Sequence, residues 1–445
     1  MTEEAPRSSQ PQLIRAIGRW SMVALAINSM LGSGIFGLPS SVAGLLGRVS
    51  PLAVLLAGAG TAVIMACYAE VASQFAETGG TYLYVKRAFG RLLGIEVGWM
   101  SLLTRLTACA ASVNLLIAYL GEFWPTASQR LPRLITITAL VGALAAVNYR
   151  GVGAGTLMSN GAVIAKLAVL AVLAAAGLAW LTVHPALAAP AVHAGGDAWM
   201  RSMLLLFFLY GGYEAALNPM GEAKNPRRDV VFALFMALAI LTVLYCTLQL
   251  IVVAVLADPA RSERPLADAA RVLMGGPGAV LITLGALISI YGFLSANFLT
   301  VPRGLFALAE RGDFPAAFAA VHPRWRTPYV SIAVFAVLVW LFSQFANFAW
   351  NVTLSVVSRT FYYAAVCAAV PVLRRLQPEV ARFRLPGGLA LPITGIAICA
   401  LLLTRADFSK SMIVLLAVAT GLINWALVRE RGSGSARAWR STARR

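Results

Sequence analysis

The chain has 445 residues, of which 59% are hydrophobic and 12% charged, and its mean hydropathy is +0.77. A water-soluble domain carries about a quarter charged residues, so this composition excludes a soluble globular protein. Long apolar stretches recur along the chain and leave no polar region large enough for a soluble domain. The composition therefore predicts one membrane domain with many spans.

The net charge is +18, from 36 Lys and Arg residues against 18 Asp and Glu residues. In a soluble protein this excess would suggest nucleic acid as a partner, whereas in a membrane protein it more often reflects topology. The five cysteines fall in apolar segments, and the three histidines lie in predicted loops. No metal-ligand spacing results, so the sequence predicts no metal, no cofactor and no disulfide framework.

In chain order, residues 1–15 are polar and are predicted to be a disordered cytoplasmic leader. The apolar stretch that follows is too long for a secretory signal peptide, so it is expected to remain as a membrane segment. Apolar runs of about 20 residues predict twelve spans in all. Segments 1 to 6 cover roughly 16–47, 51–75, 92–121, 132–149, 153–182 and 199–222. Segments 7 to 12 cover roughly 229–257, 274–308, 328–345, 350–373, 388–404 and 410–428.

The distribution of positive charge predicts the orientation of these spans. An even number of spans places both termini on one side, where the loops and termini carry 24 of the Lys and Arg residues against nine on the other side. Positively charged loops stay in the cytoplasm. We therefore predict a multi-pass protein of the plasma (inner) membrane with cytoplasmic termini. Its basic tail at 429–445 is explained by topology and by attraction to anionic lipids of the bilayer, and no nucleic acid partner is expected.

Segments 1 and 6 are predicted to be broken in the middle. Segment 1 contains glycines at 32 and 34 and segment 6 contains a glycine pair at 211–212, each followed by a proline. In hydrocarbon, unpaired backbone groups survive only where they line a cavity or are buried in protein. The two breaks lie 179 residues apart, from Gly32 to Gly211, which is the spacing expected of two five-helix repeats. The alternative is that these glycines only permit close helix packing.

Four stretches resemble a known family. They are GSGIFGLP at 32–39; YAE at 68–70 with GGTYLY at 79–84; FFLYGGYE at 207–214 with EAKNPRR at 222–228; and the stretch 303–328. In this order and at these segment ends they resemble the amino acid, polyamine and organocation (APC) transporter superfamily. The resemblance implies an all-α membrane protein with about twelve transmembrane helices. These would form a 5+5 inverted repeat of the LeuT type with broken helices 1 and 6, plus two C-terminal helices.

This resemblance also divides the chain. Residues 16–428 are predicted to form a single transmembrane transporter domain. Repeat one covers 16–182, repeat two covers 199–373, and the two extra helices cover 388–428.

The two breaks together describe a binding site for an α-amino acid. The backbone N–H groups of about Ser33 to Ile35 lie at a helix N-terminus, where the helix dipole favours a carboxylate. The carbonyls of about Phe208 to Gly211 are free to accept from an ammonium group. The resemblance implies the same arrangement. The predicted substrate-binding residues are Asn28, Gly32, Ser33, Gly34, Ile35, Arg105, Cys109, Phe208, Tyr210, Gly211 and Glu214. The rings of Phe208 and Tyr210 are either an occluding gate or packing aromatics.

Lys166 is the predicted proton-coupling residue. It lies near the middle of segment 5, too far from either end for its side chain to reach water. A lysine at that depth can cycle its proton, and the resemblance places a helix-5 lysine where other members bind a coupling sodium. A permanent structural ion pair or a cation that faces a cavity is the alternative. The resemblance also places Ser295 and Asn297 near the ion site, with hydrogen bonding between helices as the alternative.

Arg105 and Arg359 lie near the middle of segments 3 and 10, where each needs a carboxylate, freed carbonyls or water. Glu214 is the anion expected at the same depth, whereas Glu70, close to its helix end, is expected to reach the interface. One interpretation is a structural pair of Arg105 with Glu214. The other is that Arg105 disfavours cationic side chains and selects neutral or acidic amino acids.

The sequence thus predicts a secondary active amino acid transporter, coupled to protons, that works by alternating access around segments 1 and 6. One alternative keeps the fold and exchanges an amino acid for an amine. A more remote alternative is an intramembrane enzyme, against which the sequence offers no catalytic constellation at membrane depth.

Overall fold

A computed structural model describes residues 18–75, 79–151, 157–217, 224–376, 383–405 and 408–442. The regular elements of these ranges are all helical, as predicted for an all-α membrane protein. Helices satisfy their own backbone groups, which is the requirement that hydrocarbon imposes on a spanning chain. The predicted leader at 1–15 and part of segment 6, residues 218–222, lie outside the described ranges.

The helices follow the predicted segments in chain order. Those up to residue 183 are α1 (Arg19–Met30), α2 (Gly34–Leu46), α3 (Ser50–Ser73), α4 (Gly80–Phe89), α5 (Arg91–Leu120), α6 (Arg130–Arg150) and α7 (Leu157–Val183). Those from residue 196 are α8 (Gly196–Leu209), α9 (Pro226–Val255), α10 (Pro265–Glu310), α11 (Tyr329–Phe345), α12 (Phe348–Leu376), α13 (Ala390–Leu403) and α14 (Phe408–Thr442).

Eight helical stretches of the described chain are long and apolar enough to cross a bilayer, and α11 and α13 are shorter apolar helices. The number of twelve spans and the inverted repeat remain predictions. Helix α10 begins at Pro265 and is kinked at Gly275, where φ is 71°, so the predicted start of segment 8 at about residue 274 coincides with the kink. The first two turns of α10 carry an aspartate and an arginine, so an apolar-run criterion misses them.

Both predicted breaks are present as interruptions of helix. Segment 1 is divided into α1, which ends at Met30, and α2, which begins at Gly34. Segment 6 is helical as α8 up to Leu209 and continues, after a turn, as a short 3-10 helix, Tyr213–Leu217. Helix α2 packs against α8, α1 packs against α9 and the 3-10 helix, and α5 packs against α12. The breaks are therefore enclosed by other helices.

Glu70 is buried under protein and not exposed to water, although its place near the end of α3 predicted that it would reach the interface. Its side chain is fully buried and accepts hydrogen bonds from Arg374 at 2.6 and 2.7 Å and from the Leu385 N–H at 2.8 Å. The chain after α12 folds back over the end of α3 and covers it. A buried carboxylate is retained there because a bidentate guanidinium and a backbone donor replace its water.

Asp313, in the loop after α10, ties that loop to α4 and α5. Its carboxylate accepts from Lys86 at 2.6 Å, from Arg91 at 2.6 Å, and from the Tyr82 hydroxyl. Burial by itself would raise the pKa of Asp313, but the hydrogen bonds from Lys86, Tyr82 and Arg91 outweigh it and hold the pKa below its ordinary value. The ionised form is therefore part of the folded structure.

Candidate functional site between the two broken helices

The break in segment 1 leaves backbone N–H donors free, while other polar groups at the break are hydrogen-bonded. The Gly32 N–H donates to the Met30 carbonyl at 2.9 Å, and the Tyr245 hydroxyl of α9 donates to the same carbonyl at 3.4 Å. Ser33 shares a 2.8 Å hydrogen bond with the hydroxyl of Ser112 on α5. The first N–H groups of α2 have no acceptor within their own helix. They are the donors predicted to bind a carboxylate.

The break in segment 6 depends on its two glycines. At the end of α8, the Tyr210 N–H donates to the Leu206 carbonyl and the Gly211 N–H donates to the Phe208 carbonyl, both at 3.1 Å. Gly212 has a φ of 109°, which only glycine adopts readily. A Cβ at Gly212 would also overlap the carbonyl oxygen of Ser29, at the end of α1. The two breaks are therefore in direct contact.

A cavity lies between the two breaks. It is lined by both of them, by Arg105 and Ala108 of α5, by Phe293 of α10 and by Arg359 of α12. Its volume is about 20 Å³, whereas a cavity needs about 10–15 Å³ to hold a single water. An amino acid therefore enters only after a side chain moves, and Phe208 and Phe293 are the two aromatic residues among those that line the space.

The structure brings some of the predicted binding residues to this cavity and places others elsewhere. The lining includes Gly32, Ser33, Gly34, Arg105, Phe208 and Gly211. Ile35 and Cys109 are buried beside lining residues, at 1% and 0% exposure. Neither they nor Asn28, Tyr210 and Glu214 are among the described lining residues. The predicted site is therefore about half assembled around the cavity.

Tyr210 packs away from the cavity, which separates it from Phe208. Its hydroxyl donates to the Val54 carbonyl of α3 at 3.1 Å, and its ring meets that of Tyr245 at 5.5 Å. It is fully buried in these contacts. Of the two aromatics predicted as a gate or as packing, Tyr210 is the packing residue, while Phe208 has the position that a gate requires.

Glu214 lies behind the lining and is paired with both arginines. Arg105 Nη2 and Arg359 Nε are each 3.6 Å from its Oε1. The carboxylate accepts hydrogen bonds from the Tyr362 hydroxyl at 3.0 Å, the Tyr363 hydroxyl at 3.1 Å and the Gly212 N–H at 3.0 Å. One interpretation of the sequence expected Arg105 to pair with Glu214, and the structure contains this pair. Arg359 is a second partner of the same carboxylate.

Lys166 and Asn28 contact each other near the first break. Lys166 is 3% exposed and its ammonium donates to Asn28 Oδ1 at 3.1 Å. Asn28 precedes Gly32 by one turn of α1, so the amine of α7 is linked to the end of a broken helix. In α10, Asn297 donates to the Phe293 carbonyl of its own helix at 2.8 Å rather than across to a neighbour. Ser295, predicted beside it, is half-buried.

Besides Arg359, these lining residues were not assigned to the site from the sequence: Ser29, Met30, Ala108, Leu209, Gly212 and Phe293. The ring of Phe293 lies 3.4 Å from where a Cβ of Gly32 would be, so it covers the first break. One aromatic among many on a long apolar helix gives no pattern that marks it. Arg359 was identified as a buried cation but was not assigned to the site, because its helix face cannot be read from segment 10 alone.

A helical membrane chain with two breaks in contact around a cavity has the architecture of a secondary transporter. The family model described as amino acid permease matches residues 17–425. The chain therefore belongs to the amino acid permease family, which agrees with the resemblance stated from its motifs.

Three individual relatives share 25–28% sequence identity with the chain. The chain is 26% identical to the methylthioribose transporter of Bacillus subtilis (strain 168), over 88% of each chain. It is 28% identical to the serine/threonine exchanger SteT of the same organism, over 86% of this chain and 89% of the relative. It is 25% identical to the branched-chain amino acid permease BcaP, over 96% of each chain. These relatives are transporters, but their names cover different substrates.

Proposed function

We propose that the protein is a proton-coupled amino acid transporter of the plasma membrane, with cytoplasmic termini, that accepts neutral or acidic amino acids. The substrate binds between the two breaks, and alternating access moves the halves of segments 1 and 6. The observation that carries the proposal is the cavity, which joins the N-terminus of α2 to the glycine break after α8.

In this proposal the substrate's α-carboxylate accepts hydrogen bonds from the N–H groups of residues 33–35. The break after α8 contributes backbone carbonyls for the ammonium. The rings of Phe208 and Phe293 line the space, so binding requires a ring to move, and its return over the substrate would shield the substrate from water. A closure of this kind keeps the site from opening to both sides at once.

Coupling to protons is assigned to Lys166. The protonated amine donates a charge-assisted hydrogen bond to Asn28. A neutral amine could donate only a weaker hydrogen bond to the same oxygen. Proton transfer at Lys166 therefore changes how firmly the first break is held. Coupling requires that the proton bind one arrangement of the first break more tightly than the other, and a change in this hydrogen bond would have that effect.

The test uses the purified protein in sealed vesicles that contain no amino acid. An imposed inward proton gradient is expected to drive accumulation of labelled alanine or glutamate, and Lys166→Ala is expected to abolish the response to the gradient. Asn28→Ala is the matched variant, because it removes the hydrogen-bond acceptor and keeps the amine. A Lys166→Ala protein with full gradient dependence would overturn the role of Lys166.

Exchange is the second candidate, since one relative carries the name serine/threonine exchanger. The same vesicles distinguish the two functions. Uptake that occurs only when the vesicles are preloaded with amino acid or amine would identify an obligate exchanger, while accumulation in empty vesicles that depends on the proton gradient identifies coupled transport.

A further inference from the structure

The charges around the cavity do not balance. Arg105 and Arg359 both lie 3.6 Å from the same atom, Oε1 of Glu214, so two guanidinium groups share one carboxylate. Arginine does not lose its proton in a protein. Among the described residues around the cavity, one positive charge is therefore left without a countercharge.

Glu214 does not use the hydrogen-bonding capacity of these arginines. Its oxygens already accept from Tyr362, Tyr363 and the Gly212 N–H. The distance of 3.6 Å from each guanidinium nitrogen is longer than a hydrogen bond. The attraction is Coulombic, so it leaves the Nε and Nη1 donors of Arg359 available for another acceptor.

Arg359 has such donors at the cavity. Its side chain is 5% exposed, and its Nε and Nη1 have no hydrogen-bond partner among the described residues. A Cβ at Gly211 would overlap the guanidinium, so Nη1 lies directly against the lining backbone. The ring of Phe208, 6.0 Å from Cζ, gives only a partial cation–π contact. Buried charged donors without an acceptor are costly, so they mark a place where an anionic group binds.

We propose that Arg359, together with Arg105, forms a second anion site in the substrate cavity, and that the preferred substrates are acidic amino acids whose side-chain carboxylate binds there. This inference rests on the proposed transport function and specifies its substrate. A neutral amino acid carries one carboxylate and one ammonium, so it leaves the excess charge in place. A second carboxylate neutralises that charge and accepts a bidentate pair of hydrogen bonds from a guanidinium.

The position of Arg359 also explains how the ammonium of such a substrate is accommodated. In the structure the guanidinium lies against Gly211, where the break after α8 was predicted to receive an ammonium. A side-chain carboxylate that attracts the guanidinium away from Gly211 would leave this position free for the ammonium. Neutral amino acids have no second carboxylate to do so and bind more weakly, whereas cationic amino acids and amines also add a further positive charge and are rejected.

The first experiment needs no variant. Thermal unfolding of the purified protein is measured with glutamate, aspartate, alanine, arginine and succinate, and the compounds that stabilise it are tested in vesicle uptake. A ligand that binds only the folded state raises the midpoint temperature. Glutamate or aspartate is expected to give the largest rise and to be transported, and arginine is expected to give none.

The second experiment removes the charge. Arg359→Gln is expected to weaken binding of glutamate by about 10- to 100-fold, the range for hydrogen bonds to charged groups, while binding of any neutral amino acid is unchanged or tighter. Arg359→Lys keeps the charge without the planar fork and is expected to recover part of the loss. Arg405→Gln is the matched control, because Arg405 pairs with Asp197 at the other end of α8, about 20 Å of helix from the break.

The outcomes separate this inference from the proposed function. Stabilisation and uptake with neutral amino acids, but with neither glutamate nor aspartate, would overturn the acidic specificity and leave the amino acid transporter intact. Binding and uptake of succinate without any amino acid would support the anion site and overturn the proposed substrate class. An equal loss of alanine and glutamate binding in Arg359→Gln would reduce Arg359 to a structural residue.

Discussion

Gly211→Ala tests whether the break after α8 is built around the guanidinium of Arg359. Gly211 does not have a positive φ, so the backbone accepts alanine without strain. The added methyl group would nevertheless overlap Nη1 of Arg359. The substitution therefore acts on the side-chain packing of the cavity and not on the backbone of the break.

Two costs follow from this overlap. An extra methyl group in a packed interior costs about 1–3 kcal/mol through displaced neighbours. If Arg359 moves away from Glu214, the lost attraction is at most about 4 kcal/mol at the effective dielectric constant of about 20 that suits such pairs. The neutral donors of Glu214 and its remaining pair with Arg105 compensate for part of that loss. Destabilisation by about 1–3 kcal/mol is the expected net result.

The control is Gly304→Ala in α10, where a Cβ meets nothing within 4 Å. In a helix this change is neutral or stabilises by up to about 1 kcal/mol, so the two variants should move in opposite directions. Thermal unfolding in detergent measures the stability, and uptake into vesicles measures the site. If Gly211→Ala matched Gly304→Ala in both assays, the contact between Arg359 and the break would be refuted.

Other substitutions test the surrounding contacts. Phe208→Ala should reduce uptake while Phe208→Trp, which keeps a ring at the cavity, retains it; equal vesicle uptake by both would exclude a gate. Glu70→Ala removes the carboxylate that binds Arg374 and the Leu385 N–H and should cost about 1.5–3 kcal/mol, measured by thermal unfolding. Ser112→Ala removes one hydrogen bond to Ser33 and should cost only about 1 kcal/mol in the same assay. Asp313 has a lowered pKa, so its contribution is present above the unfolded pKa of about 3.9 and is lost as pH falls through the folded value. Asp313→Asn should therefore lower the midpoint temperature at pH 7 and differ little from the unaltered protein at the acid end of a pH series; a constant difference across that series would contradict this account.

Much of the fold could be predicted from the sequence because hydrocarbon restricts the chain to apolar helices. The apolar runs located the helices, and the glycines at 32, 34, 211 and 212 located both breaks to within a few residues. The part of α10 before the kink at Gly275 could not be located in this way, because Asp268 and Arg271 interrupt its apolar run.

The site was harder to predict because its members come from helices whose relative rotation the sequence does not encode. Ser33 and Gly34 were identified because the break itself is a sequence feature. Tyr210 was assigned to the cavity from its place beside the glycines, but its hydroxyl is bound to α3. Phe293 was missed because the face it presents depends on how α10 packs. Glu70 was expected at the interface because the segment that covers it, near Leu385, is remote in the sequence.

The most direct test of the central claim is to map where a substrate binds. A photoreactive diazirine analogue of a transported amino acid is cross-linked to the protein in vesicles, and the modified peptides are identified by mass spectrometry with and without excess unmodified substrate. If the substrate binds between the breaks, the adducts that the competitor removes fall within 29–36, 105–108, 208–212 and at Phe293. Competed adducts confined to α11, α13 or α14 would contradict a site formed by the two broken helices.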